Sequence, residues 1–352
     1  MMKGTESADI LIRKTGRAGH ITLNRPDALN ALTADMSVAI EAALDDWRAD
    51  ASVELIILDA AGPKAFCAGG DIADLYAQGT AGEYGFGHAF WKQEYRLNLK
   101  IATFPKPVVV FMQGFTMGGG VGLAGHASHR IVGESSKIAM PECGIGLIPD
   151  VGGSFILARA PGQVGVYLGL TGTRMEAEDA IYATFADHFV PEADWDRLKS
   201  ALAENANVAD ITDMAQPARG GVLYQNQSEI DALFAGQTPA EIQNTLAASE
   251  TEFAQSAAKK LGKGAPLALA CALATIRAGR EGDLSDALAR EYRFSYRSQD
   301  QGDFIEGIRA QIIDRDFTPK WRHATLDVPL DDVNSMLADL GPHEWTATGD
   351  AA

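Results

Sequence analysis

Between residues 65 and 153 the chain crosses three glycine-bearing junctions, and each limits the folds open to it. The first, Ala65-Phe66-Cys67-Ala68-Gly69-Gly70-Asp71-Ile72, follows a buried-strand pattern over residues 53–58 and leads into a helix pattern at Asp71. The second, Gly114-Phe115-Thr116-Met117-Gly118-Gly119-Gly120-Val121-Gly122, lies between a strand pattern over residues 108–112 and a glycine-led helix over 118–128. Glycines placed so let the backbone approach a ligand and leave amides pointing outward at a helix start; an ordinary tight turn is the plainer reading. The third, Met140-Pro141-Glu142-Cys143-Gly144-Ile145-Gly146-Leu147-Ile148-Pro149-Asp150-Val151-Gly152-Gly153, sets two carboxylates in an apolar stretch too rich in glycine and proline for one helix.

Around these junctions strand and helix patterns alternate. Residues 10–23 read as two short strands joined through Thr15-Gly16-Arg17-Ala18-Gly19, and residues 129–132 as a further strand. Residues 33–50 read as a helix capped by Thr33, with Met36, Ile40, Ala43, Leu44 and Trp47 at helical spacing. Residues 84–103 are mostly helical. The alternation argues α/β rather than all-α. From about residue 194 strand signals nearly vanish and alanine-rich amphipathic segments run to residue 312. Asn, Asp, Pro and Gly cluster near 205–225, around Ala215-Gln216-Pro217-Ala218-Arg219-Gly220-Gly221. These shifts predict a core over residues 1–205 and a mainly helical C-terminal region over 206–352.

Charge narrows the partners. The net charge is -17, with 46% hydrophobic and 22% charged residues. Such a surface repels nucleic-acid backbones and anionic lipid, so neither nucleic acid nor membrane is an expected partner. It also repels a phosphorylated small molecule, so a site for one needs local positive groups or backbone donors. Cys67, Cys143 and Cys271 match no zinc or disulfide spacing. The opening residues carry Lys3, Glu6 and Asp9 and no apolar stretch, the end Gly349-Asp350-Ala351-Ala352 is neither a prenylation nor a peroxisomal signal, and no apolar run spans a bilayer. The expected location is cytoplasmic.

Two motifs compete for a function. Gly120-Val121-Gly122-Leu123-Ala124-Gly125 fits a dinucleotide-binding fingerprint, with Glu142 about twenty residues on. It starts too late after its strand, and Glu142 lies well past the end of the next strand, so close helix packing is the better explanation. The carboxylates of the third junction point to chemistry: in apolar surroundings such groups have raised pKa values and act as base, acid or nucleophile near neutral pH. A helix-capping Asp150 and a structural Glu142 are the alternative.

Taken together, the three junctions resemble the crotonase (enoyl-CoA hydratase/isomerase) superfamily over about residues 21–190. The resemblance implies an α/β fold, a crotonase-like spiral of ββα units with a helical C-terminal part, binding a small-molecule acyl-CoA. It places the two backbone amides that polarise the thioester carbonyl on Gly70 and Gly119, and CoA-bordering backbone at Ala68, Asp71 and Ile72. Backbone donors suit a developing oxyanion. Hydratases of the superfamily use two glutamates; the second matches Glu142, but the first falls on Gly122, and Asp150 stands where they have glycine. Glu142, Asp150 and the segment Gln93-Glu94-Tyr95-Arg96-Leu97-Asn98 instead resemble the 3-hydroxyisobutyryl-CoA hydrolase branch. So do Glu291-Tyr292-Arg293-Phe294, Asp303-Phe304-Ile305-Glu306-Gly307-Ile308-Arg309-Ala310, Asp314-Arg315-Asp316 and Pro319-Lys320-Trp321.

That branch implies thioester hydrolysis in valine breakdown. Glu142 attacks the carbonyl or activates water, Asp150 orients the substrate hydroxyl or the water, and Glu94 fixes the polar end of the acyl group. No metal or redox cofactor is expected, coenzyme A being part of the substrate, and homo-oligomers are common in the superfamily. A hydratase or isomerase, and a non-catalytic acyl-CoA-binding protein, are the alternatives. His126, His129 and His188 read as structural, Cys143 as a small packing residue, and Tyr292, Phe304, Ile308 and Trp321 as helix packing. Lys320 is a candidate phosphate contact.

Overall fold

Paired short strands recur along the first half of the chain, each pair followed by a helical segment. The computed structural model describes residues 9–218 and 220–347; the readings made on Lys3, Glu6, Arg219 and the closing Gly349-Asp350-Ala351-Ala352 lie outside the described residues. Strands β1 (Ile10–Thr15) and β2 (Ala18–Leu23) form an antiparallel hairpin. Gly16 turns it at φ +58°, and a Cβ there would sit 2.2 Å from the Ala203 carbonyl oxygen, so only glycine fits. Next come β3 (Leu55–Ala60), β4 (Ala65–Cys67), β5 (Val108–Phe111), β6 (Phe115–Met117), β7 (His129–Val132), β8 (Lys137–Ala139) and β9 (His188–Phe189).

These strands sort into two sheets. One has the order β1-β2-β3-β5-β7-β9, parallel after the first pair; the other has the order β4-β6-β8. Each pair β3/β4, β5/β6 and β7/β8 sends one strand to each sheet before the chain moves on, which is the expected ββα spiral. Helices α1 (Ala34–Arg48), α2 (Ile72–Thr80), α3 (Gly85–Ala102) and α4 (Gly119–Ala124) fall in these intervals. Thr33 caps α1 by accepting from the Met36 amide, as its position predicts. The short strands β4, β6, β8 and β9 have no counterpart in the sequence reading, because two or three residues cannot display an alternating pattern. Helix α4 stops four residues before Ser128, whose hydroxyl instead bonds the Val108 amide and carbonyl.

The chain divides into two compact units: Met1–Gly70, Arg96–Ile138 and Met175–Val222 form the first, and Asp71–Tyr95, Ala139–Arg174 and Leu223–Ala352 the second. The first unit is centred on the six-stranded sheet. Leu55, Ile57, Val109, Phe111 and Ile131 from its strands bury against Trp195, Leu198 and Leu202 of the helix Trp195–Asn205. The second unit is helical in its long C-terminal part, with Pro266–Ala278 and Leu284–Ser298 its longest helices and α5 (Gly153–Leu157) and α6 (Val164–Thr171) earlier in the chain. No described helix is long and apolar enough to cross a membrane.

Candidate active site

The two glycine junctions lie side by side in the first unit. Strands β4 and β6 pair in parallel, with Ala65 opposite Phe115 and Cys67 opposite Thr116. Gly120 packs so closely on this pairing that a Cβ would come within 2.2 Å of the Cys67 carbonyl oxygen, so close packing accounts for the first glycine of the dinucleotide-like pattern. The buried Asn30 side chain donates to the Ala61 and Ala65 carbonyls, the Ala68 amide donates to the Leu29 carbonyl, and the Leu32 amide to that of Gly69. Gly70 therefore ends a loop held on both sides. Gly119 opens α4, where amides have no acceptor inside the helix. Asp71 and Ile72 belong to the second unit, where the Asp71 carboxylate caps α2 by accepting from the Ala73 amide.

The second unit gathers the carboxylates. Glu142 starts a short 3-10 helix, Glu142–Ile145, ending at the left-handed Gly146. The Ala265 amide donates to the Cys143 carbonyl at 2.9 Å. A Cβ on Gly146 would press on Asp303, and one on Gly307 on the Ile145 carbonyl, so C-terminal elements clasp the segment from two sides. Asp150 follows through Pro149, as the composition predicts for a bent connection. The chain then turns through two left-handed residues, Val151 at φ +55° and Gly152 at φ +77°, before α5 begins.

Glu94, Glu142, Asp150 and Glu291 are buried, at 3%, 5%, 4% and 0% exposure. The Tyr95 hydroxyl donates to Asp150 Oδ2 at 2.7 Å and lies 2.7 Å from Ser295 Oγ. Glu291 accepts from the Gly152 amide at 2.7 Å, the Ser154 amide at 2.9 Å and the Ser154 hydroxyl. Glu94 Oε1 and Glu142 Oε2 are buried with no hydrogen-bond partner among the described residues. Burial, and then the nearby Asp150 charge, push Glu94 and Glu142 well above the usual carboxylate range. Burial raises Asp150 to about 7 against the bond from Tyr95, and raises Glu291 to about 8 against its three donors. The same burial lifts the Tyr95 hydroxyl. Such a cluster gives up its last protons near or above neutral pH, where acid–base catalysis needs them exchangeable. Among the described residues no group of three or more His, Cys, Asp and Glu is placed to hold a metal.

Of the residues singled out from the sequence, Glu94, Glu142 and Asp150 converge in the second unit, while Ala68, Gly70 and Gly119 share the first. Tyr95, Ser154, Glu291 and Ser295 were not singled out for their roles. A signal existed for Glu291: it shares the buried stripe Leu284, Ala287, Leu288, Glu291, Ser295 and Ser298 of an amphipathic helix, where a carboxylate needs a reason. Cys143 is buried, and burial raises its thiol well above the ordinary value, so packing describes it. Tyr292, Phe304 and Ile308 are buried as expected of helix packing. Lys320 is exposed, its amide donating to Glu306.

The family model described as enoyl-CoA hydratase/isomerase matches residues 18–337. The chain is similar to the protein named 3-hydroxyisobutyryl-CoA hydrolase, mitochondrial, of Danio rerio, 40% identical over 93% of this chain and 88% of that one. Among solved structures it is similar to that of a protein named as an enoyl-CoA hydratase from Rhodobacter sphaeroides 2.4.1, with 56% identity, TM-score 0.92, and coverage of 96% of this chain and 99% of that one. A carnitinyl-CoA dehydratase from Mycobacterium thermoresistibile matches at 40% identity and TM-score 0.92, covering 97% and 99%.

Proposed function

The chain belongs to the enoyl-CoA hydratase/isomerase family, and we propose that within it the chain hydrolyses 3-hydroxyisobutyryl-CoA to 3-hydroxyisobutyrate and coenzyme A. The observation that carries this reading is the full-length likeness to relatives named for that hydrolysis. The buried cluster of Glu142, Asp150 and Glu94 supports it. Glu142 attacks the thioester carbonyl or activates the attacking water, Asp150 orients the substrate hydroxyl or the water, and Glu94 fixes the polar end of the acyl group. The amides of Gly70 and Gly119 take the oxyanion role, and backbone at Ala68, Asp71 and Ile72 borders the CoA moiety. The reaction calls on no metal or redox cofactor. A homo-oligomer and a cytoplasmic location belong to the same proposal; sedimentation and cell fractionation test them, the latter against the mitochondrial placement in the relatives' names.

A second reading, hydration of an enoyl-CoA, is favoured by the 56% identity to the Rhodobacter sphaeroides protein, which is named a hydratase. Gly122 weighs against it. The position that carries the first glutamate in the hydratases is here a glycine without a side chain, buried within α4. One assay separates the readings. The hydrolase releases free thiol from 3-hydroxyisobutyryl-CoA and leaves crotonyl-CoA unhydrated. Hydration of crotonyl-CoA at a rate comparable to thioester cleavage moves the chain to the second reading, and neither activity makes it an acyl-CoA-binding protein.

A further inference from the structure

The turn after Asp150 is held in a conformation its sequence resists. Val151 is β-branched and sits at φ +55°, a region such residues rarely enter, and Gly152 continues left-handed at φ +77°. A backbone of this kind persists only where its surroundings over-determine it. The surroundings here are one helix face. Glu291 and Ser295 lie one turn apart on the helix Leu284–Ser298 and are both fully buried. Glu291 takes the Gly152 amide on one oxygen and the Ser154 amide and hydroxyl on the other. Ser295 meets the Tyr95 hydroxyl, which donates to Asp150 Oδ2. Asp150 is thus gripped twice from this helix, through its backbone by Glu291 and through its carboxylate by the Ser295–Tyr95 pair.

We propose that Glu291 is a positioning residue for the hydrolysis: it clamps the left-handed Val151-Gly152 turn and so aims Asp150, while Ser295 steadies the tyrosine that holds the Asp150 carboxylate. The inference rests on the hydrolase reading above and deepens it. A carboxylate suits the clamp because all three of its partners are donors. Glutamine in its place turns an NH2 group toward one of those donors and loses the grip. The titratable groups facing Asp150 are Glu94 and Tyr95 from α3, Glu142 from the 3-10 helix and Glu291 from the C-terminal helix. Asp150 ionises at about 7 and its charge raises the others, while the bond from Tyr95 holds Asp150 down; a misaimed Asp150 loses that bond and ionises less easily.

The test compares wild type with Glu291→Gln and Ser295→Ala by thiol release from 3-hydroxyisobutyryl-CoA and by thermal melting. The carboxyl carbon of labelled aspartate is titrated by NMR, the Asp150 signal being the one lost in Asp150→Asn. Glu291→Gln is expected to lose kcat on the order of 10²-fold, the cost of a misaimed group, with KM changed by less than about threefold. Its Asp150 midpoint rises by at least about half a pH unit, as the misaimed carboxylate loses the Tyr95 bond that holds it down. Ser295→Ala loses less, roughly fivefold, since Tyr95 keeps its bond to Asp150. A Glu291→Gln protein that melts lower but retains kcat and the Asp150 midpoint overturns the proposal, leaving Glu291 a helix anchor only. If Glu291→Gln does not fold, Glu291→Asp replaces it, keeping the carboxyl group but withdrawing it by one methylene: kcat falls and the Asp150 midpoint rises, and an unchanged kcat overturns the clamp. A wild-type chain that releases no thiol removes the hydrolase reading itself; the titration then decides the clamp, which falls if Glu291→Gln leaves the Asp150 midpoint in place.

Discussion

Each unit of the molecule buries carboxylates on strand or helix surfaces, and the two treat them in opposite ways. In the first unit Asp59 accepts from the Thr22 hydroxyl at 2.6 Å and lies 3.1 Å from both His20 Nε2 and Lys199 Nζ. Burial alone would raise it, but His20, the hydroxyl and Lys199 outweigh burial and hold it at about 2. In the second unit Glu94, Glu142, Asp150 and Glu291 are at least as buried, and none of them forms a salt bridge among the described residues. Burial wins there, and all four are raised. The residue types and the burial are alike, so the countercharge decides. A paired carboxylate adds to the fold, whereas an unpaired cluster costs stability and is kept where its protons do chemistry.

The sharpest way to break this contrast is to remove one acid from each region. Glu142→Gln keeps shape and removes the basic oxygen, so kcat on 3-hydroxyisobutyryl-CoA falls by at least roughly 10²-fold with KM little changed. Asp59→Asn leaves kcat within about twofold but lowers the melting temperature, because His20 and Lys199 lose their partner. A Glu142→Gln enzyme as active as wild type, with both folded, removes Glu142 from the mechanism. An Asp59→Asn enzyme that loses rate rather than stability ends the division between structural and working acids.

Asp150 offers a finer cut within the cluster. If it orients the substrate hydroxyl, Asp150→Asn loses kcat by about tenfold or more on 3-hydroxyisobutyryl-CoA and less on isobutyryl-CoA, which lacks that hydroxyl. The Glu142→Gln loss persists on both. Equal Asp150→Asn losses on the two substrates assign Asp150 to the water instead. The pH profile supplies another check. Glu142 works ionised, and burial and the Asp150 charge raise it well above its ordinary 4.5. The acid limb of kcat/KM is therefore expected well above the ordinary carboxylate range, rising with pH, and a limb within that range contradicts an uncompensated cluster.

The sequence made the acids visible and hid what holds them. Glu142 and Asp150 stood out because carboxylates are rare in an apolar, glycine-rich run, and Glu94 entered through its family resemblance. The α/β class was legible in the alternation of strands and helices and the spiral through the family resemblance, and α1, α3, β5 and β7 fall where periodicity placed them. The second sheet was not, since its strands are three residues long, too short to show an alternating pattern. Nor were the grips on Asp150. Tyr95 and Ser295 are 200 residues apart in sequence and meet only through tertiary packing. Glu291 showed itself as an acid on an apolar stripe, yet nothing local says that it bonds Gly152, 139 residues away.

The smallest effect expected is on stability, and its sign reverses between the two regions. Asp150 titrates at about 7 in the fold against an ordinary 3.8. Its folded form binds the proton more tightly, so its contribution is fully present below about pH 4 and is lost as pH rises through 7. Asp59, at about 2 against the same 3.8, contributes above about pH 4 and loses that contribution as pH falls through 2. At pH 8 Asp150→Asn should therefore melt higher than wild type by roughly 1–2 °C, what about 1 kcal/mol moves a chain of this length. The gain is this modest because the Tyr95 hydroxyl then faces an amide, and it should shrink toward zero as pH approaches 4. Asp59→Asn should melt lower at pH 8, with the deficit closing only in strong acid. Melting curves of both variants between pH 2 and 8 read the two trends in one series. Parallel trends would mean that countercharge does not separate the regions; diverging ones would show that the second unit gives up stability at neutral pH to keep its carboxylates in a state fit for proton transfer.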